Sequence, residues 1–142
     1  MAAQTLSVAS APVYRQALLA LVASQWPDMK SLAVACPEID IPAPLIALNP
    51  ANELLGGLVF GQYAHPQTAK TVLWINALVV RESARRQGIA SNLVSCAELE
   101  ARAVGAREQF VLTNYPGLYQ KVGWRIAEQT SEGMVLSFQL DR

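Results

Sequence analysis

The chain has 142 residues, which fits one domain around one hydrophobic core. It carries 11 basic and 11 acidic residues and is 52% hydrophobic, so a packed fold is expected and extended disorder is excluded. A neutral chain has no overall field to gather nucleic acid. Ala17 to Ser24, the longest apolar stretch, is far shorter than the roughly 20 residues that span a bilayer. Because the N-terminus also lacks a signal-peptide pattern, we expect a cytoplasmic protein without nucleic-acid or membrane partners.

The sequence predicts no metal site. Cys36 and Cys96 lie far apart and match no paired-ligand spacing, and His65 is the single histidine. A zinc centre and a histidine-based triad therefore both lack their residues. The two cysteines are interpreted as free thiols, which proteins usually bury.

The first half of the chain predicts three strands, two helices and a proline-rich loop. A short alternating pattern favours an edge strand, and Ser10, Pro12 and Pro27 favour a helix that starts near residue 10 and ends before Pro27. In chain order the predicted elements are a strand Gln4–Ala9, that helix, a second helix Asp28–Ala35, a loop Cys36–Pro44 and strands Leu45–Leu48 and Leu54–Tyr63.

Two features of the predicted strands bear on the architecture. The pair Gly56-Gly57 inside a strand indicates a bulge or a close backbone approach. Thr71–Val80 is rich in β-branched and aromatic residues with few charges, which is typical of a central strand covered on both faces.

The second half alternates helices and strands. Apolar residues recur every three or four positions over 88–104, and Gly105 is placed to end that helix. The further predicted elements are a strand Glu108–Thr113, a short helix Pro116–Val122 and strands Trp124–Ala127 and Gly133–Leu140. Hairpins followed by strand–helix–strand units predict an α/β fold, with helices on both faces of one mixed sheet.

A polar turn joins the strand Thr71–Val80 to the helix that starts near Gly88. A helix start presents unpaired N–H groups and the positive end of the helix dipole, and is a natural anion site. Gly88 leaves the approach clear, while Arg85 and Arg86 add guanidinium groups that suit phosphate oxygens. Taken by themselves, these residues favour a solvated turn with a glycine at a helix entry over a binding site. Neither a Gly-x-x-x-x-Gly-Lys-Ser/Thr nor a Gly-x-Gly-x-x-Gly pattern is present, which argues against the common nucleotide folds.

Two motifs in this half resemble the signatures of the GNAT superfamily of N-acetyltransferases. In that family Arg/Gln-x-x-Gly-x-Gly/Ala follows a strand and opens a helix, and here Arg85, Gly88 and Ala90 fill the fixed positions. Residues 114–124, Asn-Tyr-Pro-Gly-Leu-Tyr-Gln-Lys-Val-Gly-Trp, resemble the second signature, an asparagine before a short helix that ends Leu-Tyr-x-Lys-x-Gly-aromatic. The resemblance covers residues 71–125 in detail and the rest in element order.

The resemblance implies one GNAT-like N-acetyltransferase domain over residues 1–142, with a mostly antiparallel mixed sheet of six or seven strands. It implies acetyl-CoA as co-substrate and no metal. The turn would hold the pyrophosphate, and the pantetheine arm would pair with the strand at 78–80, where strands 73–80 and 108–113 separate. The implied contacts are Leu78, Val79, Val80, Arg85, Arg86, Gln87, Gly88, Ile89, Ala90, Ser91 and Asn114.

The resemblance also implies a general acid. Tyr119 matches the family tyrosine that protonates the departing thiolate, although Tyr115 lies close by, and an N–H of Leu78 or Val79 matches the oxyanion contact. Many relatives carry a glutamate base on the central strand, where this chain has Asn76. The base is therefore left open between water, Glu53, Glu82 and His65.

The acceptor is not identified by the sequence. In the family its pocket is built from segments that match residues 26–44 and 128–133, and several acids there favour a cationic amine, small or on a protein. Transfer of an acetyl group to a primary amine by direct attack is the expected reaction. A CoA-binding regulatory module without turnover is the alternative, and a ligand-free structural domain is disfavoured by the intact turn. The acyl group could be longer than acetyl, and a homodimer is compatible with the sequence.

Overall fold

The computed structural model describes residues 3–140 and contains one seven-stranded mixed sheet. The strands are β1 (Gln4–Ser7), β2 (Leu45–Leu48), β3 (Leu54–Ala64), β4 (Thr71–Val80), β5 (Glu108–Thr113), β6 (Arg125–Thr130) and β7 (Gly133–Gln139). Their order in the sheet is β1-β2-β3-β4-β5-β7-β6. The pair β4–β5 is parallel and the other neighbours are antiparallel, as the mostly antiparallel prediction requires.

Three helices cover the sheet: α1 (Arg15–Ala23), α2 (Ile89–Ala103) and α3 (Pro116–Gln120). The predicted stripe of α2 is confirmed, since Ile89, Leu93, Ala97 and Ala101 are buried against the sheet. On the opposite face, Leu18 of α1 packs in a second cluster. Burial on both faces stabilises the sheet by about 25 cal/mol per Å² of apolar surface removed from water. No helix within residues 3–140 combines the length and the apolar character needed to cross a bilayer.

Asn76 forms a bulge in the central strand β4. The β3–β4 register shifts between Val59 and Phe60, whose partners are Ala77 and Ile75, so Asn76 is the extra residue. The bulge turns the side chains on its two sides to opposite faces of the sheet. Ile75 therefore lies in the cluster beneath α2, whereas Ala77 lies in the cluster beneath α1.

The glycine pair in β3 has both predicted properties. The β2–β3 register shifts between Ala47 and Leu48, directly beside Gly56. A Cβ atom on Gly56 would lie 2.5 Å from the Val79 carbonyl oxygen, so β3 and β4 approach closely there. The sequence predicted a bulge or a close backbone approach, and the structure has both at this place.

Two predictions for the first 35 residues were wrong. The predicted helix Asp28–Ala35 does not form; the Ala33 N–H donates to the Ser31 hydroxyl (3.1 Å), a local bond that competes with helix formation. The tertiary structure uses this segment to place Met29 and Leu32 on the α1-side core. The helix cap was also misplaced, because the Ser7 side chain caps a short 3-10 turn, Val8–Ser10, instead of Ser10 capping α1.

Candidate functional site

A gap opens between the central strands β4 and β5. Their parallel pairing is limited to Leu73–Ile75 with Gln109–Val111, although β4 continues to Val80 and β5 to Thr113. The predicted separation of these strands is therefore confirmed. The gap is part of a cavity of about 680 Å³, which lies in the range of small-molecule sites.

The cavity is lined by residues from six parts of the chain. The charged side chains among its lining residues are Arg85 and Glu132. The lining residues are Gln25, Trp26, Ile75, Asn76, Ala77, Leu78, Val79, Val80, Arg85, Ala90, Val111, Leu112, Thr113, Asn114, Tyr115, Leu118, Tyr119 and Glu132.

Backbone groups of β4 point into the gap at alternate residues. The Arg81 N–H donates to the Leu55 carbonyl on β3 (2.8 Å), so the carbonyl of Val80, on the other side of that peptide, faces away from β3. The Val79 carbonyl faces β3, close to Gly56. Because successive residues of a strand direct their polar groups to opposite edges, Leu78 and Val80 present theirs to the gap.

The turn before α2 leaves several amides open. Gly88 is the N-cap at φ 77° with no side-chain cap, and the first helical bond runs from the Asn92 N–H to the Gly88 carbonyl (3.0 Å). The N–H groups of residues 89–91 are consequently without an acceptor within the helix. Arg86 is also at positive φ (66°), and such turns direct successive amides into an anion-binding concavity.

The side chains of this turn separate into two groups. Arg85 donates from Nε to the Val80 carbonyl (3.2 Å), which fixes its guanidinium at the end of β4, and it lines the cavity together with Ala90. Arg86 and Gln87 are exposed, Ile89 is in the core and Ser91 is half-buried. Arg86, Gln87 and Ser91 therefore lie outside the cavity wall, on the surface beside the turn.

Tyr119 lies in the cavity wall with 3% of its surface exposed. Its ring packs edge-on against Trp124 (centroids 5.4 Å apart), and the Trp124 indole N–H donates to Glu98 (2.8 Å). Burial raises the pKa of Tyr119 above the ordinary value for tyrosine. The phenol is thus protonated at neutral pH and held by its neighbours.

Asn114 and Tyr115 follow β5 and line the same cavity. Tyr115 is 77% exposed, and its backbone N–H donates to the Thr113 hydroxyl (3.0 Å). The Asn114 side chain lies beside the β6–β7 turn, since a Cβ atom on Gly133 would lie 3.0 Å from its Oδ1. The second motif therefore contributes both a buried and an exposed tyrosine to one wall.

The structure places the three named base candidates away from this cavity. Glu53 accepts from the Asn49 amide (2.7 Å) in the β2–β3 turn, and Glu82 lies in a 3-10 turn, Glu82–Ala84. His65 accepts backbone N–H bonds at Nδ1 from Gln67 (3.0 Å), and its Nε2 lies 3.4 Å from Glu108. None of the three side chains is part of the cavity wall.

Several cavity residues were not predicted from the sequence as site residues, among them Gln25, which follows α1, and Leu118, which belongs to α3. Trp26, at the start of the segment expected to build the acceptor pocket, does line the cavity. Glu132 belongs to the segment 128–133 that was expected to help build the acceptor pocket, and it is the carboxylate of the cavity wall. No local signal distinguishes these residues, because they meet through the packing of distant segments.

The free cysteines lie outside the cavity wall: Cys36 is exposed and Cys96 is half-buried. Burial, with a smaller contribution from Glu100, raises the pKa of the Cys96 thiol, so this thiol is not activated. No group of three metal-ligating side chains was found within residues 3–140.

Comparison with models of known protein families assigns the chain to a family. A family model described as the acetyltransferase (GNAT) domain matches residues 45–126, more than half of the sequence. The chain belongs to the GNAT family. The matched region of this GNAT domain runs from β2 to the start of β6 and contains both motifs. No curated protein has a significantly similar sequence.

Solved structures share the fold of this GNAT domain at low identity. An N-acetyltransferase from Staphylococcus aureus Mu50 superposes with a TM-score of 0.71 at 18% identity, over 99% of this chain and 100% of the other. The YhbS N-acetyltransferase of Escherichia coli, solved with CoA, has a TM-score of 0.66 at 19% identity, over 98% and 82%. The Salmonella typhimurium protein yncA, solved with its cofactor acetyl-CoA, has a TM-score of 0.72 at 13% identity, over 100% and 96%.

Proposed function

We propose that this protein transfers the acetyl group of acetyl-CoA to a primary amine by direct attack. The observation that carries the proposal is the convergence of three features on one cavity: the β4–β5 gap, the open amides at the start of α2 and the buried Tyr119. Family membership and the CoA-bound relatives support the choice of co-substrate.

The α2 turn and β4 hold the co-substrate in this proposal. The open N–H groups of residues 89–91, with the guanidinium groups of Arg85 and Arg86, bind the pyrophosphate oxygens. The pantetheine arm lies in the gap and pairs with the backbone of Leu78 and Val80, as an added strand would. Gln87 and Gly88 shape the approach to the phosphates, and Asn114 contacts the arm from the β5 side.

The chemistry then requires an oxyanion donor and an acid. The amine nitrogen attacks the thioester carbon, and the Leu78 N–H, which faces the gap, donates to the carbonyl oxygen as it becomes negative. Collapse breaks the C–S bond, and the leaving sulfur takes a proton from the Tyr119 hydroxyl. The amine nitrogen loses one proton to water as the amide forms, and the Tyr119 phenolate regains a proton from solvent. The raised pKa of Tyr119 keeps this proton in place until the thiolate develops.

A CoA-binding sensor without turnover is the second candidate. It is favoured by one observation: Asn76, a neutral amide, occupies the bulge of β4, where many relatives carry a glutamate. The buried Tyr119 in the same cavity argues for turnover.

Two measurements on one sample test both candidates. Acetyl-CoA at a hundredfold excess over its dissociation constant is expected to stabilise the fold by about 2.7 kcal/mol. Release of CoA thiol with an amine panel is expected to exceed the rate without amine. Absence of a thermal shift would exclude both candidates, whereas a shift without amine-dependent thiol release would establish the sensor.

The remaining expectations stay predictions from the sequence. They are a catalytic unit that spans residues 1–142, action in the cytoplasm, an acetyl rather than a longer acyl group, and assembly as a monomer or homodimer.

A further inference from the structure

We infer that Asn76, held by Tyr63, is a specificity-determining residue that selects amines with a neutral oxygen beside the amino-bearing carbon. Such acceptors include α-amino amides and amino alcohols. The inference rests on the proposed transferase function and names the substrate class for that same cavity.

The bulge places Asn76 where its side chain lies against β3. Gly61 makes room for it, because a Cβ atom at that position would lie 3.1 Å from the Asn76 Cβ and 3.2 Å from the Tyr63 ring. Either contact is closer than side chains normally tolerate, so a larger residue at position 61 would displace both. Glycine at position 61 therefore allows the Asn76 and Tyr63 side chains to lie side by side.

The orientation of the Asn76 amide is fixed by its oxygen. The Tyr63 hydroxyl donates to Asn76 Oδ1 (2.9 Å), and the Tyr63 ring is itself packed edge-on against Trp74, with centroids 6.1 Å apart. With Oδ1 engaged, the amide NH₂ is the group left for a ligand. It is a donor of two hydrogen bonds and cannot accept a proton.

Asn76 stands at the junction of two cavities. It lines the main cavity, and it also lines a second cavity of about 200 Å³ between β3 and the irregular segment at 31–35. The second cavity has no charged side chain in its wall: the lining residues are Ser31, Leu32, Ala33, Val34, Ala35, Val59, Phe60, Gly61, Gln62, Tyr63 and Asn76.

These features define the acceptor chemically. The uncharged wall of the second cavity favours an acceptor whose remaining part is uncharged, because a charged group there would lose its hydration without gaining a partner. The amide donor at the junction favours an oxygen acceptor close to the reacting nitrogen. A carboxylate at the same position would instead repel that oxygen and attract ammonium.

Matched amines test the inference. The acceptor pairs are glycinamide with n-propylamine, in which an ethyl group replaces the carboxamide, and leucinamide with isoamylamine, in which a hydrogen atom replaces it. The readout is kcat/KM for the amide divided by kcat/KM for its partner amine, measured by release of CoA thiol. Each variant's ratio is compared with that of the wild type, so that differences in intrinsic amine reactivity cancel.

Asn76→Asp keeps the oxygen that Tyr63 binds and replaces the donor by an acceptor. The preference for the amide should fall about tenfold or more, since a lost bond and a new repulsion act together. Tyr63→Phe frees the amide to rotate and should lower the preference about threefold. Asn52→Asp and Tyr14→Phe make the same changes at positions that line neither cavity and should leave the ratio unchanged.

Three outcomes decide the question. A fall in the ratio for Asn76→Asp but not for Asn52→Asp supports the inference. An unchanged ratio in Asn76→Asp, with a normal acetyl-CoA thermal shift, overturns it and leaves the transferase proposal standing. Wild-type protein that binds acetyl-CoA but releases thiol with none of the amines overturns both.

Discussion

The two halves of the cavity are built in different ways. The half that we propose for the co-substrate, called the co-substrate half, consists largely of backbone groups from the end of β4 and the start of α2, with Arg85 fixed by its bond to the Val80 carbonyl. The half that we propose for the acceptor, called the acceptor half, consists of side chains from distant segments, among them Trp26, Asn76 and Glu132. A backbone site recognises a constant ligand, whereas side chains can be exchanged without changing the fold.

The largest effect is expected at Tyr119, the proposed general acid. Tyr119→Phe keeps the packing against Trp124 and removes the proton, so kcat should fall by about 10²- to 10⁴-fold with little change in acetyl-CoA binding. Steady-state kinetics and calorimetric titration measure the two quantities. Tyr115→Phe, an exposed tyrosine of the same wall, is the control. Full turnover in Tyr119→Phe together with a loss of turnover in Tyr115→Phe would show that Tyr115 is the general acid.

The next effect concerns the backbone half. Gly88→Ala adds a methyl group beside the open amides and should weaken acetyl-CoA binding on the order of tenfold, through the loss of a charge-assisted bond. Gly105→Ala is a matched control, since both glycines have positive φ (77° and 82°) and open space around the added atom. Both variants should lose similar stability. Equal acetyl-CoA affinities in the two would refute the assignment of the turn.

The smallest effect is expected at Glu132, in the acceptor half of the cavity. Amines arrive mostly as ammonium ions at neutral pH, and Glu132 is the carboxylate in the cavity wall. Glu132→Gln should raise KM for the amine about two- to fivefold, and less at high salt, because an exposed ion pair is weak. Glu128→Gln on the same hairpin lies outside the cavity wall and should have no effect. A KM that stays constant in both variants would remove Glu132 from acceptor recognition.

The co-substrate half could be predicted well because its determinants are local. A β-branched strand, a glycine that permits positive φ and an apolar stripe of period 3.6 each specify their own structure, and together they place Arg85, Gly88 and Ala90 at a helix start. Tyr119 was found for the same reason, within a continuous motif. The sequence could not show that the Val79 carbonyl faces β3. Its direction depends on which edge of β4 pairs with β3.

The acceptor half depended on tertiary structure. The segment at 28–35 has helical composition, yet it forms an irregular wall because packing of Met29 and Leu32 on the sheet outweighs a weak local preference. Tyr63 and Asn76 are brought together by the β3–β4 register, and that register is set by the bulge and the hydrophobic pattern of both strands.

The sequence by itself determined the family, the order of most elements and the turn with open amides at the start of α2, because each is encoded by neighbouring residues. The tertiary structure decided which carboxylate faces the cavity, which backbone groups enter the gap and how Asn76 is oriented. Each of these depends on contacts between segments far apart in the chain, and such contacts form when the two faces of the sheet are buried.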